Sequence, residues 1–302
     1  MKYVKRYIIL ISIALLSFAS CIKEVEFTGE ETAPLPVLNC VVGDGDTVVY
    51  ADLSKSLFFL RRGDFAPITD AEVVLTCNGT AYPMTLVGDS VYMLRHTFAA
   101  GDVVSISATM PEFGTITSKT ITVVPKPAFG LVTYVFESYR MASGFALQIE
   151  NKNPTNSYYL IYVANKITPD STEEMCWHWE TESYENISCY DSRILLTNSD
   201  FPSINEGQYL LFPGRNFSGD TITLKIDFYD TIEVNQIQVV DLYSISEDLY
   251  KYLSTCYNYY SSRNNPFTEP VQVYTNISGG LGVLGAKSYK GKNIFWGDHY
   301  QP

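Results

Sequence analysis

The chain is poor in the residues that catalysis and metal binding use most. It has three histidines, His96, His178 and His299, in 302 residues. No two of them stand at helical spacing, which excludes the paired-histidine zinc signature of metalloproteases. No Cys-x-x-Cys pair and no Cys/His cluster occurs, so a structural zinc site lacks a ligand set. A Gly-x-Ser-x-Gly elbow is also missing. Basic residues are scarce, 21 Lys and Arg against 33 Asp and Glu, for a net charge of −12. Such a chain repels phosphate backbones, so nucleic acid is not an expected partner. After residue 20 no apolar run is long enough to cross a bilayer as a helix. Gly280-Leu281-Gly282-Val283-Leu284-Gly285 spells a dinucleotide-binding pattern, but it sits between strand signals with no following helix. It therefore lacks the βαβ setting that such a site needs. No cofactor is expected, and no enzyme activity.

What is present begins at the N-terminus. Lys2, Lys5 and Arg6 precede an apolar stretch from Tyr7 to Phe18, and the small residues Ala19 and Ser20 lead straight to Cys21. This is the layout of a lipoprotein leader: the thiol is acylated, residues 1–20 are removed, and Cys21 becomes the new N-terminus. Phe18 stands where an aliphatic residue is usual. Several acyl chains on one residue supply the multiple signals that stable membrane attachment needs. Removing residues 1–20 takes away three basic residues and no acidic ones, which deepens the net charge from −12 to −15. Anionic headgroups repel that charge, so the acyl anchor holds the protein to its membrane. Residues 21–34 read as an acidic tether.

Beyond the tether, Thr, Val, Ile and Tyr dominate and favour strands over helices. Strand signals cover Pro36–Val42, Thr47–Leu53, Ala71–Cys77, Ala81–Val87, Ser90–Arg95, Val103–Thr109 and Thr115–Val124. Turn signals such as Asn78-Gly79 and Gly101-Asp102 separate them. Seven short strands so punctuated predict an immunoglobulin-like β-sandwich over 35–124. Leu57, Phe58, Phe59 and Leu60 lie in a longer connection and read as an extra edge segment or an exposed apolar loop. Pro125-Lys126-Pro127 marks a linker at 125–128. A second β-rich, sandwich-like domain is expected over 129–302, with strands that include Val271–Asn276 and Gly282–Tyr289. One helix is predicted near 246–258: Ser246 caps it, Glu247 and Asp248 suit its positive end, and Leu249, Tyr250, Leu253, Cys256 and Tyr257 share an apolar face. Ile245 and Tyr250 have the spacing of a hydrophobic staple.

Five cysteines follow Cys21, an odd number. Period-two alternation aims Cys40 and Cys77 at one core, where they either bridge or stand as two buried thiols. Cys176 and Cys189 flank a polar, aromatic-rich loop, and a bridge between them would contribute about 3 kcal/mol in the chain-entropy model. Cys256 reads as a buried free thiol. Trp177 and Trp179 project to one side of an extended segment. They either present paired indoles to a sugar or peptide, or cover the second core. Tyr259 and Tyr260 follow the helix and either extend an aromatic surface or pack at an interface.

The run from Pro266 to Ala286, Pro-Phe-Thr-Glu-Pro-Val-Gln-Val-Tyr-Thr-Asn-Ile-Ser-Gly-Gly-Leu-Gly-Val-Leu-Gly-Ala, is similar to the C-terminal signature of domain-of-unknown-function family 4249. The helix start at Ser246-Glu247-Asp248-Leu249-Tyr250, the strand Asp70-Ala71-Glu72-Val73 and the Cys189-Tyr190 pair fit the same pattern. The resemblance covers essentially the whole chain after the leader. It implies a Bacteroidetes outer-membrane lipoprotein, encoded beside a TonB-dependent receptor and cooperating with it. The acidic stretch after Cys21 likewise resembles a signal for display on the cell surface. The family supplies no catalytic residues to carry over. An adhesin or envelope-assembly protein built of β-sandwiches is the alternative, and a surface hydrolase a remote one. The four glycines at 279, 280, 282 and 285 read as bulges, turns or places of close backbone approach.

Overall fold

The computed structural model describes residues 32–57, 64–137, 142–167, 181–184, 187–188, 194–197, 209–228, 236–262, 269 and 271–295. The protein is mostly β. Its strands are β1 (Pro36–Val42), β2 (Val48–Lys55), β3 (Glu72–Cys77), β4 (Thr80–Pro83), β5 (Thr85–Leu86), β6 (Val91–Arg95), β7 (Val103–Met110), β8 (Gly114–Ser118) and β9 (Ile121–Thr122). These are followed by β10 (Phe129–Glu137), β11 (Ala142–Glu150), β12 (Tyr158–Ile167), β13 (Thr181–Tyr184), β14 (Ile187–Ser188), β15 (Leu195–Thr197), β16 (Tyr209–Pro213), β17 (Thr221–Phe228) and β18 (Gln236–Ile245). Helix α1 (Glu247–Ser262) leads to β19 (Ile277–Ser278) and β20 (Leu281–Phe295).

A ten-stranded sheet forms the backbone of the molecule, in the order β15-β16-β12-β18-β20-β1-β2-β6-β5, with β13 beside β12. Two smaller sheets pack against one face of it. The six-stranded sheet β19-β8-β7-β3-β4, with β9 beside β7, covers the β1 end. The four-stranded sheet β10-β11-β17-β14 covers the β12 end. Register places both on one side: Cys40 is level with Leu284 and Val42 with Ala286, while Ser288 lies opposite Ser244. Leu284 and Ala286 thus point the same way as Leu242 and Val240. The first core holds Leu38, Leu53, Leu75, Ile106 and Ile116, and the second holds Leu147, Ile149, Ile161, Phe212 and Ile226. Each such side chain contributes roughly 1.5–3 kcal/mol on leaving water.

Alternation explains the first sandwich. β1 alternates buried and half-buried residues along its whole length. In β3 the buried residues are Val73, Leu75 and Cys77. The stretch read as one strand over Ala81–Val87 is divided. Residues up to Pro83 pair with β3, and Thr85 and Leu86 pair with β6 in the other sheet. The chain changes sheets just after Pro83, once the Met84 N–H has made a last bond to the Val73 carbonyl at 2.8 Å.

The predicted helix is present and capped as expected. The Leu249 N–H donates to the Ser246 hydroxyl at 3.3 Å. Ile245 and Tyr250 both join the core beneath the helix, as a staple does. Ser246 has a further role that the sequence pattern does not reveal. Its N–H donates to the Ala286 carbonyl at 2.9 Å, and its hydroxyl accepts from the Ala286 N–H at 3.0 Å. The cap therefore also completes the edge of β20.

The segment 271–276 was expected as a strand and forms no ladder. One side chain supplies the ladder's function instead. The buried Asn276 amide donates to the Leu284 carbonyl and accepts from its N–H, both at 2.9 Å. A side-chain amide has the donor and acceptor of a peptide unit, so it can stand in for a neighbouring strand.

The prolines at 125 and 127 do lie between β9 and β10, but the end of the chain crosses that division. β19 pairs with β8 of the first sandwich, and β20 runs parallel to β1 before pairing with β18. Ile277, Leu284 and Ala286 belong to the first core. Pro34–Pro302 accordingly forms one compact unit, and the first sandwich is completed by residues beyond 276. The glycine signature makes this return possible. Gly282 has φ of 102° and lies against the Leu38 backbone; a Cβ at Gly280 would meet the Pro36 carbonyl at 2.7 Å. A Cβ at Gly285 would lie 2.9 Å from that of Leu249, so its absence lets α1 rest directly on β20.

Candidate functional site

On the face of the large sheet opposite the two small sheets, tyrosines form a row across four strands. Tyr162 of β12 lies opposite Tyr209 of β16, and Tyr243 of β18 opposite Tyr289 of β20. Ring centroids are 5.5 Å apart for Tyr162–Tyr209, 5.9 Å for Tyr162–Tyr243 and 5.2 Å for Tyr243–Tyr289. These separations suit tilted and edge-on aromatic pairs. The row is graded. Tyr209 and Tyr162 are buried, Tyr243 is half-buried, and Tyr289 is 45% exposed.

Charged groups sit at the exposed end. The Tyr289 hydroxyl donates to an Asp241 carboxylate oxygen at 2.9 Å. Gly291 clears the space that the phenol occupies above its own strand. Burial, and then the neighbouring carboxylate, push the Tyr289 phenol up to about 12, so it stays a donor at ordinary pH. Lys287 places its ammonium 4.7 Å from the centre of the Tyr243 ring. Burial lowers its pKa, while Asp46 and Asp241 oppose that shift. Aromatic surface, one cation and one carboxylate thus meet within a few ångströms.

Helix α1 borders this surface. Tyr250 stacks at 4.9 Å on Tyr158, whose hydroxyl accepts from Arg215 at 2.9 Å. Lys251 pairs with Glu247 one turn earlier at 2.9 Å. The Tyr274 hydroxyl donates to Asp248, and Thr255 accepts the Tyr274 N–H at 2.9 Å, tying the segment after the helix back to it. At the helix's far end Tyr259 is 40% exposed and meets Tyr260 edge-on at 5.5 Å. Both residues, read from the sequence as following the helix, lie in its last turns. The sequence reading passed over the sheet tyrosines. Their signal was the pattern Tyr158-Tyr159-Leu160-Ile161-Tyr162, which puts phenols on both faces of one strand.

Cys40 and Cys77 point into one core, as alternation predicted, but they do not bridge: both are buried free thiols. Burial pushes Cys40 up to about 12 and raises Cys77 as well, which keeps both protonated and unreactive. Cys256 is likewise a buried thiol. Cys21, Cys176, Cys189, Trp177 and Trp179 lie outside the described residues, as do Phe58, Phe59 and Leu60. His96 is packed between Tyr82 and Phe98, with ring centroids at 4.4 and 4.8 Å. It is a stacked ring rather than a base beside a nucleophile. Among the described residues no group of three or more His, Cys, Asp or Glu could hold a metal ion, and no helix is long and apolar enough to cross a membrane. The chemistry available at the tyrosine surface is that of contact: ring faces, a phenol donor and paired charges.

Comparison with known proteins gives little beyond the family. No curated protein matches. A chitinase, ChiA74 from Bacillus thuringiensis, is similar at 14% identity and a TM-score of 0.20, over 70% of this chain and 29% of that one. The chain thus spans less than a third of the chitinase. A structure of manganese lipoxygenase of Gaeumannomyces graminis with part of zonadhesin of Komagataella pastoris shows 11% identity and a TM-score of 0.21, covering 72% and 91% of the two chains. The collagen-binding domain of Erysipelothrix rhusiopathiae surface protein RspB shows 11% identity and a TM-score of 0.19, covering 87% and 96%. At such scores none of these carries an argument. The family model described as Domain of unknown function (DUF4249) matches residues 22–293, and the chain belongs to that family.

Proposed function

We propose that the protein is a non-enzymatic binding module: a lipoprotein anchored through Cys21 in the outer membrane, facing the cell surface, and serving a TonB-dependent receptor as an accessory or ligand-capture partner. The observation that carries this reading is the tyrosine surface formed by Tyr243 and Tyr289 beside helix α1. Tyrosines give large contact area at low entropic cost, and they are enriched where one protein grips another. The leader pattern before Cys21 supports the anchor, and the family's lipoprotein character supports the setting. The depth of acidic charge argues against anionic partners.

The test is capture through the native anchor. Cells carrying the full chain are cross-linked, extracted in mild detergent and purified through a C-terminal tag. A β-barrel receptor should co-purify, and Tyr289→Ser with Tyr259→Ser should reduce its yield severalfold. Repeated purification free of any β-barrel would sink the proposal. An adhesin or assembly role is favoured by one observation: β10 is nine residues long and stands at the edge of its sheet. Such an edge can accept a strand. Self-assembly in the absence of any receptor would select that reading.

A further inference from the structure

Exposed apolar side chains gather at one end of the first sandwich, the end where the tether enters. Leu35 is 45% exposed, Phe65 62% and Val87 51%. Hydrogen bonds place all three near the close of β2. Leu35 and Ser56 exchange two bonds, at 2.9 Å to the serine hydroxyl and 2.8 Å to the leucine carbonyl. The Lys55 N–H donates to Ala66, next to Phe65, and the Leu53 N–H to Ser90 in the turn that holds Val87. The Lys55–Glu112 ion pair fastens the β7–β8 turn to the same end. The opposite end is built mainly from polar turns, with Asp44, Asn78 and Asp102 bonded to backbone N–H groups or to each other, and Val103 is the single large apolar side chain exposed there among the described residues.

Single exposed apolar residues need no explanation. Three at the end where the chain enters the sandwich do, because on the lipoprotein reading that end is joined to the membrane by a short tether. The 13 residues from Cys21 to Pro34 can reach at most about 45 Å when fully extended. The net charge of −15 without the leader argues against electrostatic attraction to anionic lipid as the main term. What remains is apolar contact with zwitterionic headgroups and the upper acyl region. We infer that Leu35, Phe65 and Val87 form a membrane-contact surface that seats the tethered end of the first sandwich on the lipid to which the chain is anchored. This rests on the lipoprotein reading of Cys21.

The experiment reconstitutes the full lipidated protein into phosphatidylcholine vesicles with brominated acyl chains. Phe65→Trp is compared with Val103→Trp, which places the probe at the other end of β7 at a site 45% exposed. The unsubstituted protein gives the background from Trp177, Trp179 and Trp296. Roughly half of the added emission at position 65 should be quenched, and none at 103. Equal quenching at both sites, or none at 65, overturns the inference. Mass spectrometry of the N-terminal peptide reads the acylation of Cys21 separately. If Cys21 is not acylated, the mature chain is tied by an N-terminal histidine tag to nickel-chelating lipid and the same comparison is made. A failed anchor and a failed contact surface then give different results.

Discussion

The two ends of the ten-stranded sheet are buried differently. At the β1 end a small sheet covers one face, and Tyr50 on the other face is 55% exposed. At the β12 end a small sheet covers one face and helix α1 the other. All five residues of β16, and Tyr158 to Tyr162 of β12, are buried. The sequences differ accordingly. β1 and β2 alternate, whereas Tyr-Tyr-Leu-Ile-Tyr and Tyr-Leu-Leu-Phe-Pro read as continuous apolar runs. A strand shows its period only when one face is wet. Tyr162 and Tyr209, buried on the helix side of this end, form the inner part of the tyrosine row.

The two ends are joined by β20, and breaking that join should have the largest effect. Gly282→Val places a branched side chain at a positive φ against the Leu38 backbone. It should cost about 3–5 kcal/mol. Urea unfolding followed by tyrosine fluorescence and by far-ultraviolet circular dichroism should shift together. Loss at the β1 end alone would break the comparison. Leu249→Ala, under the helix, should cost about 3 kcal/mol. It acts at the β12 end, yet in one cooperative unit it moves the same midpoint. Ser246→Ala removes the helix cap and a partner of the Ala286 N–H, for about 1–2 kcal/mol. The smallest effect belongs to Tyr289→Phe. The folded state raises the Tyr289 phenol to about 12, above its ordinary value near 10, so it holds its proton more tightly than the unfolded chain does. The stabilisation is full below pH 10 and fades as pH rises from 10 to 12. An alkaline melt should show that fading in the native protein and less of it in the variant.

Much of this architecture was legible in the sequence, and the reason is local. β1 was placed at its observed limits because its alternation is regular, and α1 because Ser246, Glu247 and Asp248 mark its start. The course of β20 was not legible. Its parallel pairing with β1 joins residues about 245 apart, and no local pattern encodes such a pairing. The glycines at 279, 280, 282 and 285 announced close approach without naming what approaches. Asn276 was missed because one side chain there replaces a strand. The tyrosine row was not legible, because it required the register of four strands; Tyr259 and Tyr260 read as following the helix, and lie in its last turns. The free state of Cys40 and Cys77 was also beyond reach, since alternation gives direction and not distance.

The claim on which the rest depends is that the first sandwich is incomplete without β19 and β20. The direct measurement is to produce residues 35–124 alone and record amide hydrogen exchange and thermal unfolding. That piece lacks Ile277, Leu284 and Ala286 from its core and leaves one side of β1 unpaired. The account predicts unprotected amides and no cooperative transition, with folding restored when residues 277–295 are supplied by the full chain. A cooperative melt and protected β1 amides in the isolated piece would contradict it.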